Sequence, residues 1–471
     1  MQTRHRSGAR FTPSLSFILL LALLAGLWLA GGASRADALG QAIVRSMAAI
    51  ALAGTILFGR RPSLREARPV LWLLGAAIVL TLLQLVPLPP GLWRALPGRA
   101  ILEEAAAASG QPQPWRPWSI VPNATLNTAC ALIVPVAVLV LATSLNERER
   151  ALLPGVILGL IVAAMLLGLL QFSGVRVNNP LINDTLGEVG GTFANRNHFA
   201  LFLAMGCLLA PVWAFVGSKR DRRVPRWRVP VTIGLLVLFV LTILATGSRA
   251  GLILGLLALG LGLLLVRREI KLALRRYPRW AFPAVVAGAV GVIALVVLVS
   301  VAADRAISIS RVFAVDQGQD MRSRGLPTVL KMIRDYFPAG AGLGSFDPVF
   351  RMHEPLALLK FTFFNHAHND YLEVVLDAGA PGLLLLLAAL SWWVWASVHS
   401  WRSGADGSGD LSGILPRLGS AVLLLAIVAS VFDYPVRTPT MMAMTVLAGC
   451  WLSGGAARRG ARALPENSQV L

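Results

Sequence analysis

The chain has 471 residues, 56% hydrophobic and 14% charged, with a mean hydropathy of +0.68. Soluble proteins carry about 25% charged residues, so this composition excludes a chain solvated mainly by water. The formal net charge of +20 would suit a nucleic-acid binder. However, the arginines collect in short connectors between apolar runs, as in the cytoplasmic loops of membrane proteins, so no nucleic-acid partner is expected.

Taken in chain order, apolar runs of about 18–22 residues recur, each able to cross a hydrocarbon core of about 30 Å. Spans are predicted at 14–33, 37–59, 69–88, 123–144, 151–172, 195–216, 230–247, 250–266, 281–303, 379–399, 414–432 and 437–454. The expected fold is an all-α polytopic membrane protein of about twelve transmembrane helices. Residues 1–150 would hold the first four helices, 151–303 the next five, 304–368 a large periplasmic loop, and 369–471 the last three with a tail. Arg4, Arg6 and Arg10 precede the first span, and alternate connectors carry Arg60 and Arg61, Arg148 and Arg150, Lys219 to Arg228, Arg267 to Arg279, Arg402, and Arg458 and Arg459. The opposite connectors hold few cations: Arg35, Arg176 and Arg437. This bias puts both termini in the cytoplasm. The basic start and the small residues of 33–38 also fit a cleaved signal, whose loss would remove one span and leave the others in place. Cys130, Cys207 and Cys450 lie in or near apolar runs without paired spacing, so neither disulfide nor metal is expected.

Two outer segments are long. Residues 89–122 are rich in Pro and Trp, which points to a loop at the membrane interface. Residues 304–368 are the largest polar stretch and should fold, with short helices including roughly 322–336, over the span ends that bear Arg196 and Arg249. The Gly/Ser/Asp-rich run 403–412 reads as a flexible linker.

Polar groups at the outer ends of spans are the first candidates for function. Gly190 to His198 opens the sixth span, and its Arg196 and His198 would sit where a helix N-terminus attracts anions; an ordinary helix cap is the plainer reading. Thr246 to Gly251 joins the seventh and eighth spans without a loop. Its Arg249 is either a bidentate phosphate grip or a side chain snorkelling to lipid. In the large loop, Arg322, Arg324, Lys331 and Arg334 open an amphipathic segment, followed by the glycine-rich turn 340–346, able to approach a ligand closely. His366 and His368 follow. If a helix begins before residue 368, His368 shares a face with Tyr371 and Leu372 while His366 heads a stripe of Asp370, Glu373 and Asp377. The His-x-His-x-Asp spacing is also that of a metal site, but no further ligand cluster accompanies it.

The stretches GTFANRNHFA (191–200), TGSRAGLI (246–253), GAGLGSF (340–346) and HNDYLEVVLDAGAPG (368–382), in that order, resemble the O-antigen ligase and polymerase superfamily of membrane glycosyltransferases. His368-Asn369, Gly379 and Gly382 fit its His-Asn, nine residues, Gly, two residues, Gly pattern. The resemblance covers roughly residues 150–455 and implies transfer of a glycan from an undecaprenyl-pyrophosphate donor, on the periplasmic side of the inner membrane, without cofactor or metal. Partners would be the lipid-linked glycan, an acceptor glycan or lipid A-core, and the bilayer. It implies His368 as the base on the acceptor, and Arg249 and Arg322 on the pyrophosphate, with Arg324 the alternative loop arginine. Arg196, His198, Asn369 and Tyr371 are further substrate-binding candidates. The acceptor stays open between polymerase, ligase and protein O-glycosylation. A transporter or flippase of lipid-linked glycans, its arginines lining a passage, is the reading from another class.

Overall fold

The computed structural model describes residues 11–175, 177–183, 187–215, 227–273, 321–359, 364–402 and 411–463, with a few isolated positions between them. The predicted span 281–303, the loop residues 304–320, Arg176 and most of the 403–412 linker lie outside this description.

The described chain is helical. Its elements are α1 (Leu15–Ala30), α2 (Leu39–Phe58), α3 (Arg68–Leu83), α4 (Pro90–Ala95), α5 (Ala100–Ala108), α6 (Pro122–Ala131), α7 (Ile133–Ser144), α8 (Glu147–Phe172), α9 (Arg196–Phe215), α10 (Arg228–Thr246), α11 (Arg249–Leu265), α12 (Arg267–Ala273), α13 (Met321–Tyr336), α14 (Phe346–His353), α15 (Asp370–Arg402), α16 (Leu411–Phe432) and α17 (Pro439–Ala463). Two strands, β1 (Pro87–Leu88) and β2 (Arg116–Pro117), pair antiparallel. Among the described residues, seven helices are long and apolar enough to cross a membrane, and α1, α3 and α11 are shorter apolar helices. This is a multi-pass membrane protein.

Helix α9 is the axis of the bundle. It is apolar on every side and buried almost end to end, as expected of a helix surrounded by others. It packs against α8, α10, α11 and α16. A Cβ at Gly206 would come within 2.8 Å of Ile161 and Phe239, so this glycine lets α9 approach both neighbours closely.

The turn between α10 and α11 follows from its sequence. Gly247 ends α10 with φ 67°, and the Ser248 hydroxyl then accepts the Gly251 N–H at 2.9 Å to cap α11. Two helices thus meet without a loop.

Helix α15 starts at Asp370, well before the predicted 379, and bends at Gly379, whose φ of 58° and ψ of −144° suit only glycine. The turn 338–344 fills this bend. Ala341 N–H donates to the Leu376 carbonyl at 2.9 Å, Gly342 N–H to the Asp377 carbonyl at 2.8 Å, and Ala380 N–H to the Pro338 carbonyl at 2.8 Å. A Cβ at Gly340 would meet Gly379 N at 2.6 Å. The close approach that Gly340 permits is therefore to α15, where the sequence had pointed to a ligand, while Gly342 and Gly344 close against Ser119 and Thr128.

Residues 89–122, expected as a loop at the membrane interface, clamp this turn. Arg99 is buried and donates to the carbonyls of Trp118 at 2.8 Å and Gly340 at 3.1 Å, while the Trp118 indole donates to the Ala339 carbonyl at 3.1 Å.

Candidate functional site at the helix ends

Asp433, in the turn between α16 and α17, is a buried carboxylate on which distant segments converge. Its Oδ2 accepts from the Asn197 amide at 2.6 Å, the Asn195 amide at 3.1 Å and the Arg322 guanidinium at 3.4 Å. Its Oδ1 lies 3.1 Å from His368 Nδ1 and 3.9 Å from His198 Nε2, and takes the Tyr434 N–H at 3.1 Å. Burial opposes ionisation, but the hydrogen bond from His368 and the charge of Arg322 outweigh it and hold the carboxyl well below the usual carboxylate range.

The other motif segments reach the same point. Asn197 Oδ1 accepts the Ser248 hydroxyl at 2.8 Å, which ties the 246–249 turn to Asp433 through one amide. Arg249 follows Ser248 at the N-terminus of α11, with an exposed side chain and no ion pair among the described residues. Arg322 also donates to the Phe432 carbonyl at 3.1 Å. Arg324 is turned away onto the Ala357 carbonyl at 3.0 Å, so of the two loop arginines Arg322 is the one in the cluster. Arg196 is not in it: its guanidinium lies 3.4 Å from Glu188.

Both histidines sit in the loop before α15, so the expected helical-face separation of His366 from His368 does not hold. Asn369 caps the helix, its Oδ1 accepting the Leu372 N–H at 3.0 Å, and His368 takes φ 52° just before it. Asn369 Nδ2 also reaches the Val431 carbonyl at 3.0 Å, and the Tyr371 hydroxyl donates to the Ile427 carbonyl at 2.7 Å. These two candidates fasten α15 to α16. The imidazoles separate instead by carboxylate: His368 faces Asp433, and His366 Nδ1 lies 2.8 Å from Glu373, with its Nε2 3.1 Å from the Ser34 hydroxyl. Tyr434 stands between them, its ring centre 4.2 Å from His366, 5.1 Å from His368 and 5.0 Å from His198. Burial, then the charge of Asp433, push the Tyr434 phenol up, so it stays protonated.

Beneath the histidines the acidic stripe of α15 has a partner that the sequence did not single out. Arg437 lies 3.1 Å from Asp370, 3.1 Å from Glu373 and 3.8 Å from Asp377. Burial disfavours the guanidinium's charge, but Glu373 and Asp370 more than restore it and push its pKa above the ordinary value. Asp377 Oδ2 also takes the Gly344 N–H at 3.0 Å, which joins the glycine turn to this network. In sequence, Asp433, Tyr434 and Arg437 read as connector residues. The one signal was that three such groups stand together between two apolar runs. Among the described residues, no group of three or more His, Cys, Asp or Glu is placed to hold a metal.

Residues 234–387 match the family model described as O-antigen ligase. The likeness to the O-antigen ligase and polymerase superfamily holds. The matched stretch includes Ser248, Arg249, Arg322, His368, Gly379 and Gly382, whereas Asn195 to His198 and Asp433 lie outside it and join by geometry. Residues 234–387 thus carry an O-antigen ligase-type likeness, which implies a glycosyltransferase-like membrane enzyme. No curated protein matches the chain.

Proposed function

We propose that this O-antigen ligase-type chain transfers a glycan from an undecaprenyl-pyrophosphate-linked donor to an acceptor hydroxyl on the periplasmic side of the inner membrane. The observation that carries the reading is the convergence of the 195–198, 248–249, 322 and 368 segments on Asp433. The periplasmic assignment rests on the charge bias, because these segments lie at helix ends opposite the arginine-rich connectors.

The geometry supports a role for each group. A carboxylate only accepts, so the hydrogen between His368 and Asp433 belongs to Nδ1, and in the neutral imidazole the lone pair is then on Nε2. The acceptor hydroxyl attacks the anomeric carbon, the new C–O bond forms as the bond to the pyrophosphate oxygen breaks, and the hydroxyl proton passes to His368 Nε2. The pyrophosphate leaves with the bonding pair. Arg322, only partly covered by Asp433, and Arg249, exposed at a helix N-terminus, stabilise the charge that develops on it. His198 buttresses Asp433 from the buried side, and Arg196 and Arg324 stand at the rim.

The acceptor is read as a second lipid-linked repeat, which makes the enzyme a polymerase. Reconstitution with purified undecaprenyl-pyrophosphate repeats alone tests this. Chain growth supports it; growth only after lipid A-core is added makes the enzyme a ligase, and sugar transfer only to protein makes it a protein glycosylase. No transfer to any acceptor by the folded protein, with donor crossing the membrane, would leave the flippase reading.

A further inference from the structure

Helix α13 has two apolar faces, and the fold uses only one. Val329, Met332 and Tyr336 are buried in the cluster that joins α13 to α14 and α15. On the other side Leu326 is 42% exposed, Leu330 49% and Phe337 41%, with half-buried Ile333 at the border, also packed against the buried cluster. Phe337 continues the helix, since its N–H donates to the Ile333 carbonyl at 2.9 Å. At about 100° per residue these four fall within an arc of about 60°, and Arg334 and Lys331 follow next on one side of it. Both cations are exposed. An apolar stripe flanked by cations is the pattern of a helix lying in a membrane interface.

The depth of the helix agrees. The Pro338 carbonyl accepts the Ala380 N–H at 2.8 Å, just where α15 begins the apolar run 380–390 that enters the membrane. The C-terminal end of α13 therefore stands level with the hydrocarbon boundary. Trp118, whose indole donates to the neighbouring Ala339 carbonyl at 3.1 Å, is the kind of side chain that collects at this level.

We infer that the outer flank of α13 docks on the anionic phospholipid surface of the adjacent leaflet, with Leu326, Leu330, Ile333 and Phe337 at the acyl boundary and Lys331 and Arg334 on the lipid phosphates. The same helix carries Arg322 to Asp433 at its other end, so lipid contact holds the arginine in register with the site. Charge selects the occupant: a neutral or cationic protein surface would leave Lys331 and Arg334 unpaired.

The test uses Leu330→Cys in the full-length chain lacking Cys130, Cys207 and Cys450, labelled with an environment-sensitive fluorophore. Gln111→Cys on the neighbouring outer loop serves as the aqueous control. Proteoliposomes are made of phosphatidylcholine with or without phosphatidylglycerol. A label at 330 quenched by lipid-borne spin labels and spared by aqueous iodide, with the opposite pattern at 111, is the expected result. Phosphatidylglycerol should strengthen the lipid quenching, and the Lys331→Glu/Arg334→Glu pair should weaken that dependence by about fivefold per charge. If the pair fails to insert, the two lipid compositions on the single-cysteine protein still decide. Quenching at 330 by iodide alone would overturn the inference. So would shielding from both quenchers, either dependent on protein density (a second copy) or independent of it (a cover from this chain). The readout is depth, so it stands or falls apart from the glycan-transfer reading.

Discussion

His368 and Asp433, 65 residues apart in sequence, face each other through Nδ1 and Oδ1 at 3.1 Å. The carboxylate also receives Asn195, Asn197 and Arg322, so one side chain fixes the imidazole and two further segments.

Asp433→Asn should keep the fold near this turn but lose the fixed tautomer of His368, because an amide can present N–H as well as C=O to Nδ1. Transfer is expected to fall on the order of 10²–10⁴-fold, the range of a positioned general base, with donor binding less affected. Wild-type turnover in a folded Asp433→Asn protein would remove Asp433 from the mechanism. The carboxyl is depressed in the folded state. Its stabilising contribution is therefore present above the ordinary carboxylate pKa of about 3.9 and is lost only as pH falls below that. Asp433 itself should add no slope to unfolding measured between about pH 8 and pH 5.

Arg249→Lys and Arg322→Lys should each cost about 2–4 kcal/mol of transition-state stabilisation, because a point ammonium does not reproduce a bidentate fork. Arg324→Lys, which exchanges one contact to the Ala357 carbonyl, should turn over like the wild type. Transfer assays on the three variants separate the cases. Wild-type rates at both Arg249→Lys and Arg322→Lys would remove these arginines from the pyrophosphate site.

Removal of Arg437 should be the most damaging single change in the network. Arg437→Met would leave Asp370, Glu373 and Asp377 without their shared cation, a loss of about 3–5 kcal/mol for a broken buried pair. The expected outcome is poor folded yield, partly recovered by adding Glu373→Gln. Yield and thermal stability in detergent check both variants, and an Arg437→Met protein as stable as wild type would show that the network carries little of the fold's stability.

Gly379→Ala tests the bend. The backbone there lies in a glycine-only region, and an added Cβ would run into the Pro338 carbonyl. A cost of at least about 1–3 kcal/mol is expected, seen as a lower unfolding temperature. Ala at Gly174, which also has positive φ but has nothing within 4 Å of its Cβ, should cost less.

Much of this was legible in the sequence because membranes impose simple patterns. Apolar runs placed the helices, and the polar motifs fell at their ends. Asn195 to His198, Ser248-Arg249, Arg322 and His368 were all visible as separate clusters. What joins them was not, because Asp433 is a single acidic residue in a short connector, and its importance comes from distance contacts between helices that no local period encodes. The same holds for Arg437, which counted only as one charge in an orientation rule. The histidine pair shows a different failure. A helical face was assigned where the chain is still a loop, since Asn369 rather than an earlier residue caps α15. The glycine turn was read toward a ligand, whereas Gly340 closes against the α15 bend at Gly379 and Gly342 and Gly344 close against Ser119 and Thr128.

The most direct test is transfer by His368→Ala in proteoliposomes supplied with undecaprenyl-pyrophosphate-linked glycan and acceptor, with donor binding measured on the same preparation and His366→Ala alongside. His366 is held between Glu373 and the Ser34 hydroxyl and has no part in the proposed proton transfer, so His366→Ala should keep substantial activity. His368→Ala should bind donor as the wild type does and lose transfer by at least about 10²-fold. Undiminished transfer by folded His368→Ala, or loss confined to His366→Ala, would contradict a site built on His368 and Asp433.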